Sequence, residues 1–101
     1  MQAIKVTYTV QEDYSEHNKA NINAVMSELR ALNRPDIRYA TFVENDGRTF
    51  THFAVRKDAE SFKLDSLESF QKFQAELKAS NPEKPPMAAP LTLVGSSYDL
   101  F

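Results

Sequence analysis

The chain has 101 residues, of which 42% are hydrophobic and 26% are charged, and its formal net charge is −2. This length predicts one domain over residues 1–101, with no room for a second core. A chain without a basic excess is not expected to bind nucleic acid, because neutralising phosphates needs clustered positive charge. The sequence has no cysteine and only two histidines. Thiol catalysis and disulfides are therefore excluded, and no metal is expected.

No stretch of the sequence indicates contact with a membrane. Spanning a bilayer needs about 18 apolar residues in a row, and the chain has no such run. The first ten residues alternate and include Lys5, whereas a signal peptide needs an unbroken apolar stretch. We therefore expect a cytoplasmic protein without a membrane partner.

The first two predicted elements are a strand and a helix. Residues 3–11 alternate between apolar and polar side chains and are rich in β-branched residues, which is typical of a strand. Residues 15–33 carry apolar side chains at the period of a helix. These are Ile22, Val25, Met26, Leu29 and Leu32. Asn33 before Arg34 and Pro35 predicts the end of this helix.

A β-hairpin is predicted next. Residues 37–44 and 49–56 alternate on either side of Asp46-Gly47, a dipeptide typical of tight hairpin turns. Such a turn pairs Thr41 with His52 and Tyr39 with Ala54. Large apolar groups stand on both faces of the hairpin: Ile37, Tyr39, Val43 and Phe50 on one, and Phe42, Phe53 and Val55 on the other. The sequence therefore leaves open which face meets the helices.

The last part of the chain is predicted to hold a helix, a connector and a strand. Residues 65–80 have an apolar stripe at helical spacing. Residues 83–90 contain three of the five prolines, which predicts an extended connector. Residues 91–99 are predicted to form the final strand.

The element order β-α-β-β-α-β is that of the α+β ferredoxin-like fold, in which two helices cover one face of an antiparallel sheet. The opposite face of such a sheet normally meets water and is polar. Here that face keeps several large apolar side chains whichever way the hairpin is turned, and an exposed patch of that kind usually marks an interface. We therefore expect a homodimer that packs sheet against sheet.

Four features carry a resemblance to a known superfamily. They are the element order, the hairpin IRYATFVENDGRTFTHFAV, the acidic DAES segment after it and the helix SFQKFQAEL. Together they resemble the dimeric α+β barrel superfamily, which includes the antibiotic biosynthesis monooxygenase-like domains. The resemblance covers nearly the whole chain. It implies that two sheets pair into a shared barrel, with a cavity in each protomer between sheet and helices.

Members of that superfamily include cofactor-independent monooxygenases of aromatic polyketides, haem-degrading enzymes, isomerases and proteins with no known activity. The haem-degrading members rely on a tryptophan near the end of the third strand. This chain has no tryptophan, and Arg56 stands at that position. The resemblance therefore does not extend to haem degradation, and no cofactor is expected.

His52 is the first candidate for a catalytic residue. It is predicted opposite Thr41 and diagonal to Tyr39, on a hairpin face that also holds Arg56. Tyr39, Thr41 and Arg56 are the predicted ligand-binding residues, suited to an anionic or carbonyl-bearing small molecule. His52 could act as a general base near neutral pH. The alternative is a buried histidine that is hydrogen bonded to Thr41, Tyr39 or the backbone.

Other polar and aromatic residues have simpler interpretations. Tyr8 and Tyr98 are expected to pack in the core or an interface. Phe70 and Phe73 are expected to lie in the core, and Phe62 in the connector before the second helix. The polar cluster at the start of the first helix, formed by His17, Asn18 and Asn21, is expected to cap or solvate it, and the carboxylates of Asp58 and Glu60 are expected to be solvated.

Two hypotheses for the function follow. The first is a small homodimeric protein that binds a small hydrophobic molecule or is purely structural. The second is a cofactor-independent monooxygenase or isomerase that acts on an aromatic small molecule. A cavity of a few hundred Å³ reached by His52 favours the second hypothesis. A filled interior, with His52 bonded to its neighbours, favours the first.

Overall fold

Four strands and two helices follow one another in the predicted order β-α-β-β-α-β in the computed structural model, which describes all 101 residues. The elements are β1 (Gln2–Thr9), α1 (Ser15–Leu32), β2 (Ile37–Val43), β3 (Thr49–Arg56), α2 (Glu68–Ala79) and β4 (Lys84–Leu91). The ferredoxin-like α+β class predicted from the sequence is confirmed. Neither helix is long and apolar enough to cross a membrane.

The strands form one antiparallel sheet in the order β2-β3-β1-β4. The β2–β3 hairpin pairs Thr41 with His52, the register predicted from its turn. In that turn, Asp46 Oδ1 accepts the backbone N–H groups of Arg48 at 2.8 Å and Thr49 at 2.9 Å. Gly47 has a φ of +72°, in the left-handed region that favours glycine. The turn therefore fixes which hairpin side chains share a face.

The prediction for the last strand is wrong. β4 spans Lys84–Leu91, which was expected to be a connector, and residues 92–99 form no strand. The prolines are tolerated because β4 lies at the edge of the sheet, where half of its N–H positions face away from β1. Pro85 and Pro86 also fall where the register with β1 shifts, so no regular ladder is interrupted there.

The helix ends follow local chemistry. α1 ends at Leu32, and Asn33 caps it with a left-handed φ of 49° and donates its N–H to the carbonyl of Arg30. This agrees with the predicted stop signal. α2 begins at Glu68 rather than at residue 65, because Leu64–Ser66 form a separate 3₁₀ turn. α2 is thus three residues shorter at its start than predicted.

Both helices pack on the face of the sheet that carries Tyr39, Phe50 and His52, which resolves the choice left open by the sequence. The core lies between this inner face and the helices. Its buried members are Tyr8, Val10, Ile22, Val25, Phe50, Leu67, Phe73 and Leu77. Tyr8 stacks on Phe50 with ring centroids 5.6 Å apart, which joins β1 to β3. This core supports one side of a cavity.

The opposite face of the sheet, called the outer face below, keeps many apolar side chains. They are Ala3, Ala40, Phe42, Phe53, Val55, Met87, Ala89 and Leu91. Phe42 is 61% exposed and Met87 is 75% exposed. Phe42 meets Phe53 edge to face, with centroids 6.0 Å apart. The helices therefore leave an apolar surface uncovered, as the sequence predicted.

Candidate functional site

A cavity of about 500 Å³ lies between the inner face of the sheet and α2. Most of its wall is apolar, and the polar groups are confined to a few side chains. The lining residues are Ile4, Val6, Tyr8, Tyr39, His52, Ala54, Leu64, Phe70, Phe73, Gln74, Leu77, Lys78, Pro82, Pro85 and Pro86. The size and the mostly apolar lining are those of small-molecule sites.

The prolines of β4 help to keep this space open. Pro85 and Pro86 lie at the cavity wall, where the pairing with β1 shifts. A proline ring is compact and rigid, so it cannot extend across the gap to α2 as a long side chain would. The irregular edge strand β4, whose prolines predict a connector, thus forms part of the site.

His52 stands at the centre of a hydrogen-bonded group on the cavity wall. Its Nε2 lies 2.7 Å from the Tyr8 hydroxyl oxygen. Its Nδ1 lies 2.6 Å from the Tyr39 hydroxyl oxygen and 3.0 Å from Thr41 Oγ1. Asn18 Nδ2 donates to the Tyr8 hydroxyl oxygen at 2.9 Å. Side chains from three strands and α1 are therefore joined through one imidazole.

Burial controls the protonation of this group. His52 is 5% exposed, and burial lowers its pKa from the ordinary 6.5 to about 4. The imidazole is therefore neutral at pH 7. Burial raises the pKa of Tyr39 to about 12, and it also raises the pKa of Tyr8. Both phenols keep their protons, so the His52 group presents hydroxyl groups and no fixed charge to the cavity, and the charged residue on the wall is Lys78.

The predicted site residues fall into two groups. His52, Tyr39 and Thr41 are brought together, although Thr41 reaches His52 from outside the cavity and lines a smaller pocket beside α1. Arg56 is not among the lining residues. Its guanidinium donates to the carbonyl of Ser61 at 2.7 Å and to Gln2 Oε1 at 2.9 Å. Arg56 therefore holds the loop after β3 rather than facing the cavity.

Two residues of the His52 group were given other roles by the sequence. Tyr8 does pack in the core, but its hydroxyl also binds His52. The expectation that Asn18 caps or solvates the start of α1 is wrong, because Asn18 is completely buried. The signal for the burial of Tyr8 was the alternation along β1, which puts Tyr8 on the same face as Val6 and Val10. The signal for Asn18 was its helical spacing, because it lies four residues before Ile22 and seven before Val25, on the apolar stripe of α1.

The rest of the polar cluster on α1 reaches α2. Glu76 Oε1 accepts from Asn21 Nδ2 at 3.0 Å and lies 2.5 Å from His17 Nε2. The hydrogen bond from Asn21, followed by that with His17, lowers the pKa of Glu76 below its ordinary value. This contact ties the two helices together at one end. It lies outside the cavity wall and is structural.

The remaining candidates from the sequence are also placed. Phe70 and Phe73 line the cavity, with Phe73 buried, and their ring centroids are 5.7 Å apart. Phe62 lies under the Arg34 guanidinium at 5.2 Å. Asp58 and Glu60 are exposed in the loop after β3. No group of three or more histidine, aspartate or glutamate side chains is arranged to hold a metal ion.

The fold has clear relatives among solved structures. An antibiotic biosynthesis monooxygenase superposes with a TM-score of 0.75 at 13% identity, over 94% of this chain and all of that one. Rv0793 from Mycobacterium tuberculosis gives a TM-score of 0.76 at 14% identity, over 96% of this chain and 98% of that one. A variant of SnoaB, a cofactor-independent oxygenase from Streptomyces nogalater, gives 0.70 at 14% identity, over 97% of each chain.

This chain therefore has the fold of the antibiotic biosynthesis monooxygenase-like proteins, as its sequence pattern suggested. Among the similar structures, some are called monooxygenases and others, such as PA3566 from Pseudomonas aeruginosa, carry no activity in their names. No protein-family profile and no curated protein matches the sequence. At these identities the likeness establishes the fold and transfers no residue's role.

Proposed function

We propose that this chain is a homodimeric protein whose cavity binds a small hydrophobic molecule. The observation that carries the proposal is the apolar cavity of about 500 Å³ with His52 and Tyr39 on its wall. An apolar compound that enters it loses contact with water, which favours binding in proportion to the apolar area buried. The few polar groups would then orient it.

The bonding of His52 favours binding over catalysis. A general base needs a nitrogen within reach of the substrate proton. Both nitrogens of His52 are already bonded to protein hydroxyl groups, and its pKa of about 4 makes it a weak base at neutral pH. The sequence linked a cavity reached by His52 to an enzyme, and a His52 bonded to its neighbours to a protein without catalysis. The structure has both the cavity and the bonded His52. That combination fits a binding protein best.

The binding proposal is tested with tetralin, a fused-ring hydrocarbon without polar atoms, followed by NMR. Tetralin should shift the signals of cavity residues in a saturable way. Ala54→Leu fills the cavity from β3 and should abolish these shifts. Ala75→Leu, an exposed site on α2, is the matched control and should bind as the wild type does. Wild-type protein without saturable shifts, or binding retained in Ala54→Leu, would contradict the proposal.

The dimer part of the proposal is supported by the outer face. Its apolar groups lie on all four strands, and Val55, Ala3 and Leu91 form one apolar row across β3, β1 and β4. Monomeric proteins rarely expose apolar patches larger than a few hundred Å². A second copy of the chain brings an identical apolar face, and two-fold pairing would bury both.

Light scattering after size exclusion tests the dimer. The wild type should have twice the mass of one chain at tens of micromolar. Phe42→Asp puts a charge among the exposed apolar groups of the outer face, on the edge strand β2, and should give a monomer. Leu32→Asp is the control, since Leu32 is 49% exposed at the end of α1 on the other side of the sheet. A monomeric wild type would refute the dimer.

A second candidate function is a cofactor-independent monooxygenase or isomerase that acts on an aromatic small molecule. It is favoured by the likeness to SnoaB together with the hydroxyl-lined cavity. Incubation with 1,3-dihydroxynaphthalene and ¹⁸O₂, with no added cofactor, tests the oxygenase. One labelled oxygen atom in the product, lost in His52→Gln, would support it, and no label above the protein-free control would exclude it for this compound class.

Three expectations from the sequence stay predictions. They are one domain over residues 1–101, a cytoplasmic location and the lack of a nucleic-acid partner. Cell fractionation with an antibody to the chain tests the location. A filter-binding assay at low salt tests the nucleic-acid partner, since phosphate contacts are strongest there.

A further inference from the structure

We propose that Asn18, which lies outside the cavity, turns a donor and no acceptor towards Tyr8 and so fixes the direction of hydrogen bonding through Tyr8 and His52, in which the Tyr39 hydroxyl donates into the cavity. The ligand is then a hydrophobic ring compound that carries a carbonyl or another acceptor oxygen. This inference rests on the proposed binding function and adds the chemical class of the ligand. Asn18 acts as a positioning residue.

The first link is the Tyr8 hydroxyl. It accepts an N–H from Asn18, and the only other group bonded to it is His52 Nε2. Tyr8 is 2% exposed, and Asn18 is completely buried. If Nε2 carried a proton and donated to Tyr8, the phenol proton would have no acceptor among the groups bonded to it, and an unpaired buried donor is costly. Tyr8 therefore donates its proton to Nε2.

The second link is His52. Because the imidazole is neutral, it carries one proton, and a nitrogen that accepts from Tyr8 cannot hold it. The proton is therefore on Nδ1. It faces Tyr39 Oη at 2.6 Å and Thr41 Oγ1 at 3.0 Å, and both oxygens serve as acceptors.

The third link is Tyr39. Its oxygen accepts from His52, and the Thr41 hydroxyl acts as a further donor to the same oxygen, so neither neighbour takes the Tyr39 proton. Tyr39 lines the cavity, where a bound molecule can take that proton in a hydrogen bond. A hydroxyl that accepts one hydrogen bond becomes a better donor in the next. Thr41 shares the Nδ1 proton but lines the other pocket, so it does not compete for the ligand.

The direction of the hydrogen bonds through Tyr8, His52 and Tyr39 can be measured in the protein without a ligand. In ¹⁵N NMR of the histidine side chains, His52 Nδ1 should have the shift of a protonated nitrogen and Nε2 that of an unprotonated one. The opposite assignment, which a rotated Asn18 amide would produce, overturns the inference. This measurement needs no ligand, so its outcome is independent of whether the cavity binds anything.

The ligand class is tested with two compounds of the same skeleton. The first, 1-tetralone, carries one carbonyl, and tetralin carries none. Wild-type protein should bind 1-tetralone about three- to tenfold more tightly, the usual worth of one hydrogen bond. Tyr39→Phe should remove this preference, and Tyr98→Phe, the same change at a tyrosine that is 70% exposed, is the matched control and should keep it. Equal affinities in the wild type, or a preference that survives in Tyr39→Phe, would overturn the ligand class.

The two failures are distinguishable. If neither compound binds, the proposed binding function fails for fused rings and the ligand class falls with it. If both bind equally, the binding function stands and only the ligand class is lost.

The role of Asn18 is tested by replacing the donor that it offers Tyr8 with an acceptor. Asn18→Asp, at a pH where the new carboxyl is ionised, offers Tyr8 an acceptor in place of a donor. The His52 proton should move to Nε2 and the preference for 1-tetralone should disappear. Asn18→Leu is the control: like the wild-type amide, it offers Tyr8 no acceptor, so Nδ1 keeps the proton, and only the acceptor added in Asn18→Asp should move it. An unchanged tautomer in Asn18→Asp overturns the role, and if that variant does not fold, the wild-type ¹⁵N shifts decide.

Discussion

His52 Nε2 lies 2.7 Å from the hydroxyl oxygen of Tyr8, and this contact spans the β3–β1 pair on the inner face of the sheet. Opposite Tyr8 in the register is Phe50, so the contact is a diagonal one. Phe73 from α2 packs against both rings, with centroids 6.5 Å from Tyr8 and 5.3 Å from His52. The polar pair is thus enclosed by aromatic rings, and its bonds must be made within the protein.

The first prediction concerns this pair. Tyr8→Phe keeps the ring but leaves His52 Nε2 and the Asn18 amide without their partner. Unpaired buried polar groups cost about 1–3 kcal/mol, so the free energy of unfolding should fall by about that amount in urea titrations. Tyr98→Phe is the control, because Tyr98 is 70% exposed, and it should change little. Equal stability of Tyr8→Phe and the wild type would contradict the buried bond.

The second prediction is a loss of stability in acid that depends on His52. Its pKa falls from 6.5 in the unfolded chain to about 4 in the folded protein. Between these values the unfolded chain binds a proton that the folded protein does not, so stability decreases as the pH falls from 6.5 to 4. At about 1.4 kcal/mol for each pKa unit, the total loss is about 3 kcal/mol.

Chemical denaturation at a series of pH values measures this loss. His52→Gln removes the titrating group and should flatten the curve between pH 6.5 and pH 4. His17→Gln is the matched control, since His17 is exposed, and it should leave the His52 slope in place. The prediction fails if the wild type and His52→Gln have the same slope in this range.

Much of the fold could be predicted because the hairpin is determined by residues close to one another in the sequence. Asp46 and Gly47 fix the turn, and the alternation of the flanking residues then fixes which side chains oppose each other. The last strand was misplaced because its prolines are read locally as breakers. Only the position of β4 at the sheet edge makes them acceptable, and that position is a property of the whole fold.

The site was predictable as far as the hairpin extends. His52, Tyr39 and Thr41 lie within it, so their proximity follows from register. The inner face could not be chosen, since both faces are apolar. The spacing of Asn18 places it on the apolar stripe of α1, but its bond to Tyr8 could not be assigned, because that bond depends on how α1 lies over β1. Arg56 shares the face of His52 but sits at the strand end, where loop carbonyls take up its guanidinium.

The third prediction concerns the hairpin turn. Gly47 has a φ of +72°, and a Cβ added there would meet no atom within 4 Å. The cost of Gly47→Ala is therefore the backbone strain of a left-handed alanine, about 1 kcal/mol. Gly95→Ala is the control, since its surroundings are equally open and its φ is not in that region. Thermal unfolding should show a lower Tm for Gly47→Ala alone, and similar Tm values for the two variants would refute the strain.

The fourth prediction concerns the contact between the helices. Glu76 accepts from Asn21 and His17 of α1, and these bonds hold the pKa of its carboxyl below the ordinary value of 4.5. A carboxyl with a lowered pKa stabilises the fold above its unfolded pKa and stops doing so as the pH falls through its folded pKa. Glu76→Gln should therefore lower the Tm at pH 7, and the difference from the wild type should shrink in acid.

Calorimetry at pH 7 and pH 3 checks this prediction. The control is Glu68→Gln, because Glu68 is exposed at the first turn of α2, and its effect should be smaller at pH 7. A ¹³C NMR titration of the wild type adds a direct measurement, in which the Glu76 carboxyl should titrate at lower pH than an ordinary glutamate. If Glu76→Gln lowers the Tm equally at both pH values, the ionised carboxyl is not what joins α1 to α2.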